Sequence, residues 1–460
     1  MKPYPFEITS DQMIYAENLF ALLDNNWTEG QGMNRPAYMA EGENRAINDL
    51  IKEGRKLGLS IRTDAAGNVF MIYPGKNPDA GALLTGSHVD SVVNGGRYDG
   101  PAGVIAGLTV VHALMAQGIT PDQDFIVGIY RNEESPSFKQ VSVGMKLASG
   151  SLDPAEFMER RHTHTGHAFR KHLQASGLDP ERLIDIFKRH GELIPFSSIA
   201  AQIEIHIEQE RELSDQDTPL GIVTAIRGNY RLPGVTIKGQ TGHSGAKSFE
   251  KRQDAGMAKN RLVSELYDEA LRLRQSGRDI VFTEPYSRSG DSAKLTHIPD
   301  DAQCALEVRS TEDSVLKDFL SAIHRVSDDL QHQHNVMIDL GNIVYSAPAT
   351  MSQTVIDAIG HAAQQIHIKT MLMPSGAGHD SAEFAKKVDT GMIFIAQKTG
   401  LSHRHEEDMG RDPDKTFSCE GDFAKAITLL GQIVVNGLNQ NARPGSFVKK
   451  FDEMYAPTGI

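Results

Sequence analysis

Cysteine is nearly missing from this chain, with Cys304 and Cys419 its only two. That excludes a disulfide-stapled scaffold and a zinc cluster built on thiolates. No apolar run approaches the ~20 residues that a membrane-spanning helix needs. Basic residues are also in deficit: 47 Lys and Arg stand against 60 Asp and Glu, a formal net charge of −13. Without a cationic surplus to neutralise phosphates, neither a nucleic-acid nor a membrane partner is expected. The opening Met1 to Thr9 lacks the basic-then-apolar pattern of a secretion signal, so the expected compartment is the cytoplasm.

What is there is ordinary for a soluble globular protein: 39% hydrophobic and 23% charged residues in a chain of 460. That length exceeds one typical core and favours two domains. Met13, Ala16, Leu19, Phe20 and Leu23 fall at helical spacing, as do Ala46, Leu50, Ile51 and Leu57. From Ile61 the pattern changes. Val69–Ile72, Leu83–Thr85 and Phe125–Tyr130 read as short strands, with a helix over Val104–Met115 between the last two. Such alternation predicts βαβ units and a largely parallel sheet.

Residues 151–195 read as a charged helical excursion on the surface, starting at an N-cap-like Asp153-Pro154. After a strand at Ile203–Ile207 the character shifts near Val223. Strands at Tyr230–Lys238 and Cys304–Arg309 and helices at Ala255–Leu273 and Val315–Leu330 predict a separate α+β layer. Beyond Tyr345 the βα pattern resumes, with a helix at Val355–Gln365 and a strand at Met392–Ile395. The expected organisation is a catalytic domain in two parts, 1–222 and 343–460, interrupted by an inserted domain at 223–342.

Four segments carry chemistry. The first, Gly86-Ser-His-Val-Asp through Arg97-Tyr-Asp-Gly100, follows a buried strand and opens onto a helix start. His88, Asp90 and Asp99 thus lie at a strand end or just beyond it, where α/β folds bind ligands, and look like half of a metal site. The second is the paired Glu133-Glu134 ending a buried strand. Consecutive side chains on extended backbone point to opposite sides, so one carboxylate suits a metal ion and the other a bound water. Alone, the pair is also what a solvated acidic turn shows. His206, inside the alternating run Ile203–Ile207, and His403 or His405, in Gly400–Glu407, complete the candidates. Together His88, Asp99, Glu134, His206 and His403 offer five nitrogen and oxygen ligands, a set suited to zinc, manganese, cobalt or nickel.

On these motifs the chain resembles the hydantoinase/carbamoylase family of metal-dependent amidases, within the wider dinuclear aminoacylase and carboxypeptidase superfamily. The likeness runs from Asn44-Arg-Ala and Asp64-Ala-Ala-Gly-Asn-Val through Gly86–Gly103 to Ser375-Gly-Ala-Gly-His-Asp380 and Leu401-Ser-His403. The Gly-Gly-Arg-Tyr-Asp-Gly loop and the His-Ile-Glu-Gln segment at His206 discriminate best. The resemblance implies a mostly parallel α/β, zinc-exopeptidase-like catalytic domain with an inserted ferredoxin-like lid that dimerises. It implies two divalent metal ions, zinc first and manganese, cobalt or nickel as alternatives. Asp99 would bridge them, His88 and His206 would complete one site, and Glu134 and His403 the other. Glu133 is the implied general base and Asp90 the partner fixing the His88 imidazole. A non-prolyl cis peptide bond after Asp99 is implied as well. In the inserted domain, His243 of Gln240-Thr-Gly-His-Ser-Gly245 would reach a neighbouring subunit's site, which requires a homodimer. Arg309 matches the family's carboxylate-binding arginine, and Gln209 and Gly376 match substrate-contacting positions.

The chain departs from the family at three places. Thr296-His-Ile-Pro299 stands where an asparagine usually opens the stretch, Ser135-Pro-Ser137 follows the paired glutamates, and Arg404-His405 follows the last ligand. Thr296 still offers one hydroxyl at the asparagine's place. All three lie where substrate would be read. His162, His164, His167 and His172, in the charged excursion, and His332 and His334, in a polar loop, read as solvated faces. His379 would either support the metal site or hold a Gly-rich turn.

The expected activity is hydrolysis of the carbamoyl C–N bond of a small carboxylate: an N-carbamoyl-L-amino acid, β-ureidopropionate or allantoate. An N-acyl-amino-acid deacylase or dipeptidase with the same metal centre is the alternative, and a non-catalytic metal-dependent binding protein a remote one.

Overall fold

A computed structural model describes residues 6–24, 27–28, 32–77, 79–290, 294–438 and 445–456. Two compact units result, one formed by Met1–Thr224 with Met351–Ile460 and the other by Ala225–Thr350.

The first unit is built on a mixed sheet. Four neighbouring strands run in the order Thr390–Ile395, Ile199–Ile207, Ala82–His88 and Phe125–Tyr130, every adjacent pair parallel. Val69–Tyr73 and Ser60–Thr63 extend one side in antiparallel fashion, and Leu220–Ile226 pairs antiparallel with Thr390–Ile395 on the other. The parallel strands are apolar almost throughout because both their faces are covered.

Helix Pro101–Ala116 begins with proline at its first turn and is buried at nearly every position. A helix apolar all round belongs inside, and this one packs on the strands Ala82–His88 and Ile199–Ile207. Gly103 permits the approach, since a Cβ there would lie 2.4 Å from the Ile205 carbonyl oxygen. The helix start, and the Asp99 loop before it, are thereby pinned to the strand that carries His206.

The second unit has the order strand, helix, strand, strand, helix, strand: Gly228–Lys238, Ala255–Gln275, Val281–Ser289, Asp301–Ser310, Asp313–His334 and Met337–Asp339. Its sheet is antiparallel, with these strands in spatial order second, third, first, fourth, which is the ferredoxin-like topology. Both long helices pack on the alternating apolar face of Asp301–Ser310.

Several expectations need correction. Residues 343–350, assigned by sequence to the catalytic part, belong to the inserted unit, because Val344–Ser346 pairs antiparallel with Gly228–Lys238. His332 and His334 are in the last turn of a helix rather than in a loop. His162 and His172 are buried, not solvated: their rings stack 4.6 Å apart and both meet the Phe138 ring edge-on. No peptide bond among the described residues is cis, so the implied cis bond after Asp99 is absent. The chain turns there through Gly100 at φ +84°, where a Cβ would lie 2.5 Å from the His88 ring.

Candidate metal centre

Parallel strands end on the same side of a sheet, so the residues at their carboxyl ends converge. His88 closes one strand, and His206 is the penultimate residue of its parallel neighbour. Asp99 lies between them. Its Oδ1 is 3.1 Å from His206 Nε2 and 3.5 Å from His88 Nε2, and its Oδ2 is 3.4 Å from His403 Nε2. His403 Nε2 is also 3.3 Å from Glu134 Oε1. Two groups therefore have the spacing of metal ligands, His88–Asp99–His206 and Asp99–Glu134–His403, and they share Asp99. His405, the other candidate in its loop, pairs with Glu406 instead.

The hydrogen bonds behind these ligands decide their protonation. His206 Nδ1 is 3.0 Å from the Ile207 carbonyl and His88 Nδ1 is 3.1 Å from the Asp90 carbonyl. A carbonyl only accepts, so each Nδ1 carries a hydrogen, and in the neutral ring each Nε2 presents a lone pair toward Asp99. His206 Nε2 is fully buried and has no hydrogen-bond partner. Two bare acceptors 3.1 Å apart repel each other unless a cation or a proton lies between them. That orphaned nitrogen, together with the nitrogen and oxygen donor set, fits a divalent metal ion.

Electrostatics agree. Burial alone would raise the Asp99 carboxyl, but the His206 and His88 rings beside it hold it well below the usual range. Burial alone would lower His88, yet the Asp90 and Asp99 carboxylates beside it and the charge of Glu133 raise it well above normal. Burial pushes both Glu133 and Glu134 well up, with Asp99 adding to the effect on Glu134. His88, Asp99, Glu134 and His206 are buried, and His403 is exposed.

Glu133 stands beside the two groups, its Oε2 4.0 Å from His88 Nε2. Asp90 does more than face His88 at 3.5 Å: its two carboxylate oxygens accept the backbone N–H groups of Glu133 and Glu134, each at 3.1 Å. One side chain thus fixes a histidine and both glutamates. Gln209, held at φ +63°, donates from Nε2 to Asp99 Oδ2 at 2.8 Å and to Ser402 Oγ at 2.9 Å. Gly376 lies in the loop after the strand Thr370–Ser375, and His379 of that loop bonds Ser375 Oγ while its ring sits 4.5 Å from that of His206.

The remaining candidates lie in the inserted unit. His243 accepts the Gly245 N–H at Nδ1, so its neutral ring carries the proton on Nε2. Thr296 Oγ1 is 3.1 Å from His297 Nδ1. Arg309 donates to Glu307, which also takes Arg231, so one carboxylate holds two guanidinium groups on that strand face.

Two residues went unnoticed in the sequence. Glu407 Oε1 accepts the N–H groups of both Tyr98 and Asp99. Its signal was its position in the His403 loop. Arg35 is fully buried, with Nε and Nη2 unpartnered and its charge facing Asp90, Asp24, Glu407 and Asp99. Burial lowers it to about 10 against the pull of those acids. No sequence pattern marks it.

Known proteins resemble this chain over most of its length. Residues 84–435 match the profile of peptidase family M20/M25/M40. The chain belongs to that family. Over 399 residues it is 31% identical to an N-carbamoyl-L-amino acid amidohydrolase of Geobacillus stearothermophilus, covering 86% of this chain and 94% of that one. It is 31% identical over 355 residues to a ureidoglycolate hydrolase of Oryza sativa subsp. japonica, covering 76% of this chain and 71% of that one. A crystal structure of a hydantoinase/carbamoylase family amidase from Burkholderia multivorans superposes with a TM-score of 0.81 at 23% identity, over 94% of this chain and 98% of that one. These relatives put the M20 chain in the carbamoylase branch, as a hydrolase of C–N bonds. Among its described residues no helix is long and apolar enough to cross a membrane.

Proposed function

We propose that this M20 chain is a dinuclear amidohydrolase that cleaves the carbamoyl C–N bond of a small carboxylate, such as an N-carbamoyl-L-amino acid, β-ureidopropionate or allantoate. The observation that carries the reading is the pair of ligand groups joined at Asp99, with a further carboxylate, Glu133, beside them. His88 and His206 would hold one divalent ion and Glu134 and His403 the other, with Asp99 between them. Zinc suits these donors, and manganese, cobalt or nickel are alternatives. Divalent ions held there would supply Lewis-acid polarisation of the scissile carbonyl and acidify water near neutral pH.

The chain's own residues do the rest. Glu133, not needed as a ligand, takes a proton at its carboxylate as water adds to the carbonyl carbon. It returns that proton to the leaving nitrogen as the C–N bond breaks. Carbamic acid released this way falls apart into ammonia and carbon dioxide. Asp90 keeps Glu133 and Glu134 pointed to their separate tasks. Arg309, with its planar fork, suits the substrate carboxylate, and Gln209, Thr296 and Gly376 would line its path. His243, with its proton on Nε2, would donate to the carbonyl oxygen as charge develops. We further propose that the inserted unit dimerises and that His243 serves the site of a second copy.

The test is a panel on metal-depleted protein reloaded with zinc, manganese, cobalt or nickel. Ammonia release from N-carbamoyl-L-alanine, β-ureidopropionate or allantoate is expected. Amine release from N-acetyl-amino acids, with no ammonia from any ureido compound, would reject the reading in favour of a deacylase.

A further inference from the structure

The strand Ile199–Ile207 carries one acidic residue, Glu204, two positions before His206. Its carboxylate is fully buried and collects three hydrogen bonds. Ser87 Oγ donates to Oε1 at 2.8 Å, and Ser381 donates to Oε2 from its hydroxyl at 2.6 Å and from its N–H at 3.2 Å. Ser87 precedes His88, so this one carboxylate joins both histidine-bearing strands to a third segment. A buried carboxylate is costly unless donors satisfy it, and its two oxygens let it take donors from both sides at once.

The third segment is a turn that the sheet alone does not hold. It leaves the strand Thr370–Ser375, which pairs with Leu220–Ile226. In the sheet Leu220–Ile226 is separated from Ile199–Ile207 by Thr390–Ile395. The turn ends in the short helix Ser381–Phe384, which packs on both of these last two strands. Gly376 and Gly378 are exposed, whereas His379, Asp380 and Ser381 are buried. A turn so poor in side chains meets a ligand through its backbone. Its base is fixed at two points. His379 Nε2 lies 3.0 Å from Ser375 Oγ, with its ring edge-on to that of His206 at 4.5 Å, and Glu204 grips Ser381.

We propose that Glu204 is a positioning residue that docks the Ser375–Asp380 turn on the strands of His88 and His206, and so places Gly376 for the substrate. This rests on the carbamoyl reading above, in which Gly376 contacts substrate, and deepens it. The experiment measures metal content, urea midpoint, kcat and KM on the metal-loaded protein. Its substrate is whichever of N-carbamoyl-L-alanine, β-ureidopropionate and allantoate releases ammonia fastest from the wild type. Ser381→Ala removes one donor and leaves Glu204 and the proposed metal ligands unaltered. Its KM should rise about tenfold at unchanged metal content while kcat falls less than about threefold, the pattern of lost binding rather than lost chemistry. Glu204→Gln can keep Ser381 on its remaining oxygen and turn its amide to the Ser87 hydroxyl, so its KM should rise less than that of Glu204→Ala. Unchanged KM in Ser381→Ala, whatever its urea midpoint, assigns the carboxylate to folding and overturns this inference alone. Loss of metal from Ser381→Ala overturns it too, by tying Glu204 to the ligands rather than to the turn. A wild type that releases no ammonia from any of the three compounds overturns the carbamoyl reading and this inference with it.

Discussion

Glu407 Oε1 accepts the backbone N–H of Asp99 at 2.9 Å. The same oxygen takes Tyr98 N–H at 2.8 Å, and Gly96 packs so closely that a Cβ there would lie 2.2 Å from the Glu407 Cδ. Because Glu407 follows His403 by four residues, one loop both offers a ligand and holds the loop of the shared ligand. Glu407→Ala leaves two amide donors near the site unsatisfied, at about 1–3 kcal/mol each. Metal retention in a chelator competition should fall roughly tenfold or more, the usual effect of losing a residue that orients ligands. Glu407→Gln keeps an acceptor oxygen and should lose less. Equal retention in the alanine variant would reject the positioning role.

Glu133→Gln separates the proton carrier from the ligands. The substitution is isosteric, and the two ligand groups do not include Glu133. Metal content should stay at the wild-type level while kcat falls on the order of 10²–10⁴-fold, the range for removal of a general base. Substantial turnover with full metal content would hand the proton transfer to another group.

Much of this site was legible because a parallel sheet is a strong constraint. Once Ala82–His88 and Ile199–Ile207 are read as strands of one sheet, His88 and His206 must come to the same rim. What stayed hidden depends on packing between segments remote in sequence. Asp90 was read as the partner of His88, but its hold on Glu133 and Glu134 joins residues more than forty positions apart. Arg35 lies in no periodic run, and only the converging acids explain it. His162 and His172 sit in a charged stretch that suggests a solvated face, yet Phe138 from the segment after the glutamates draws both rings inside. The hold of Glu204 on Ser381 spans 177 positions, which no local pattern encodes.

Arg131 Nε bonds Glu43 Oε2 at 2.7 Å, with both side chains buried. Glu43 also accepts the N–H groups of Tyr38 and Asn132, and the Arg131 guanidinium lies 4.0 Å over the Tyr38 ring. The pair thus anchors the backbone that leads directly into Glu133. Glu43→Ala strands a buried cation and should cost about 3–5 kcal/mol. A urea titration should show the loss, together with a fall in kcat as Glu133 and Glu134 shift. Replacement of both Glu43 and Arg131 by apolar residues should restore more stability than activity.

The histidine pair beside Phe138 makes stability depend on pH in a definite direction. Burial lowers His162 to about 4, helped by the nearby His172 and His164. In the unfolded chain a histidine titrates near 6.5. As pH falls from about 6.5 to about 4, the unfolded chain takes up a proton that the folded one refuses, so the native state loses stability across that window. Above about 6.5 the ring is neutral in both states and the contribution is complete. His162→Gln keeps an acceptor for the His164 N–H, which His162 Nδ1 takes at 3.2 Å, but removes the titration. Its urea midpoint should lie below wild type at pH 7.5 and should fall less steeply on acidification to pH 4.5. An unchanged slope would show that the ring takes up its proton without leaving the folded core, which contradicts the dry, stacked arrangement against His172 and Phe138.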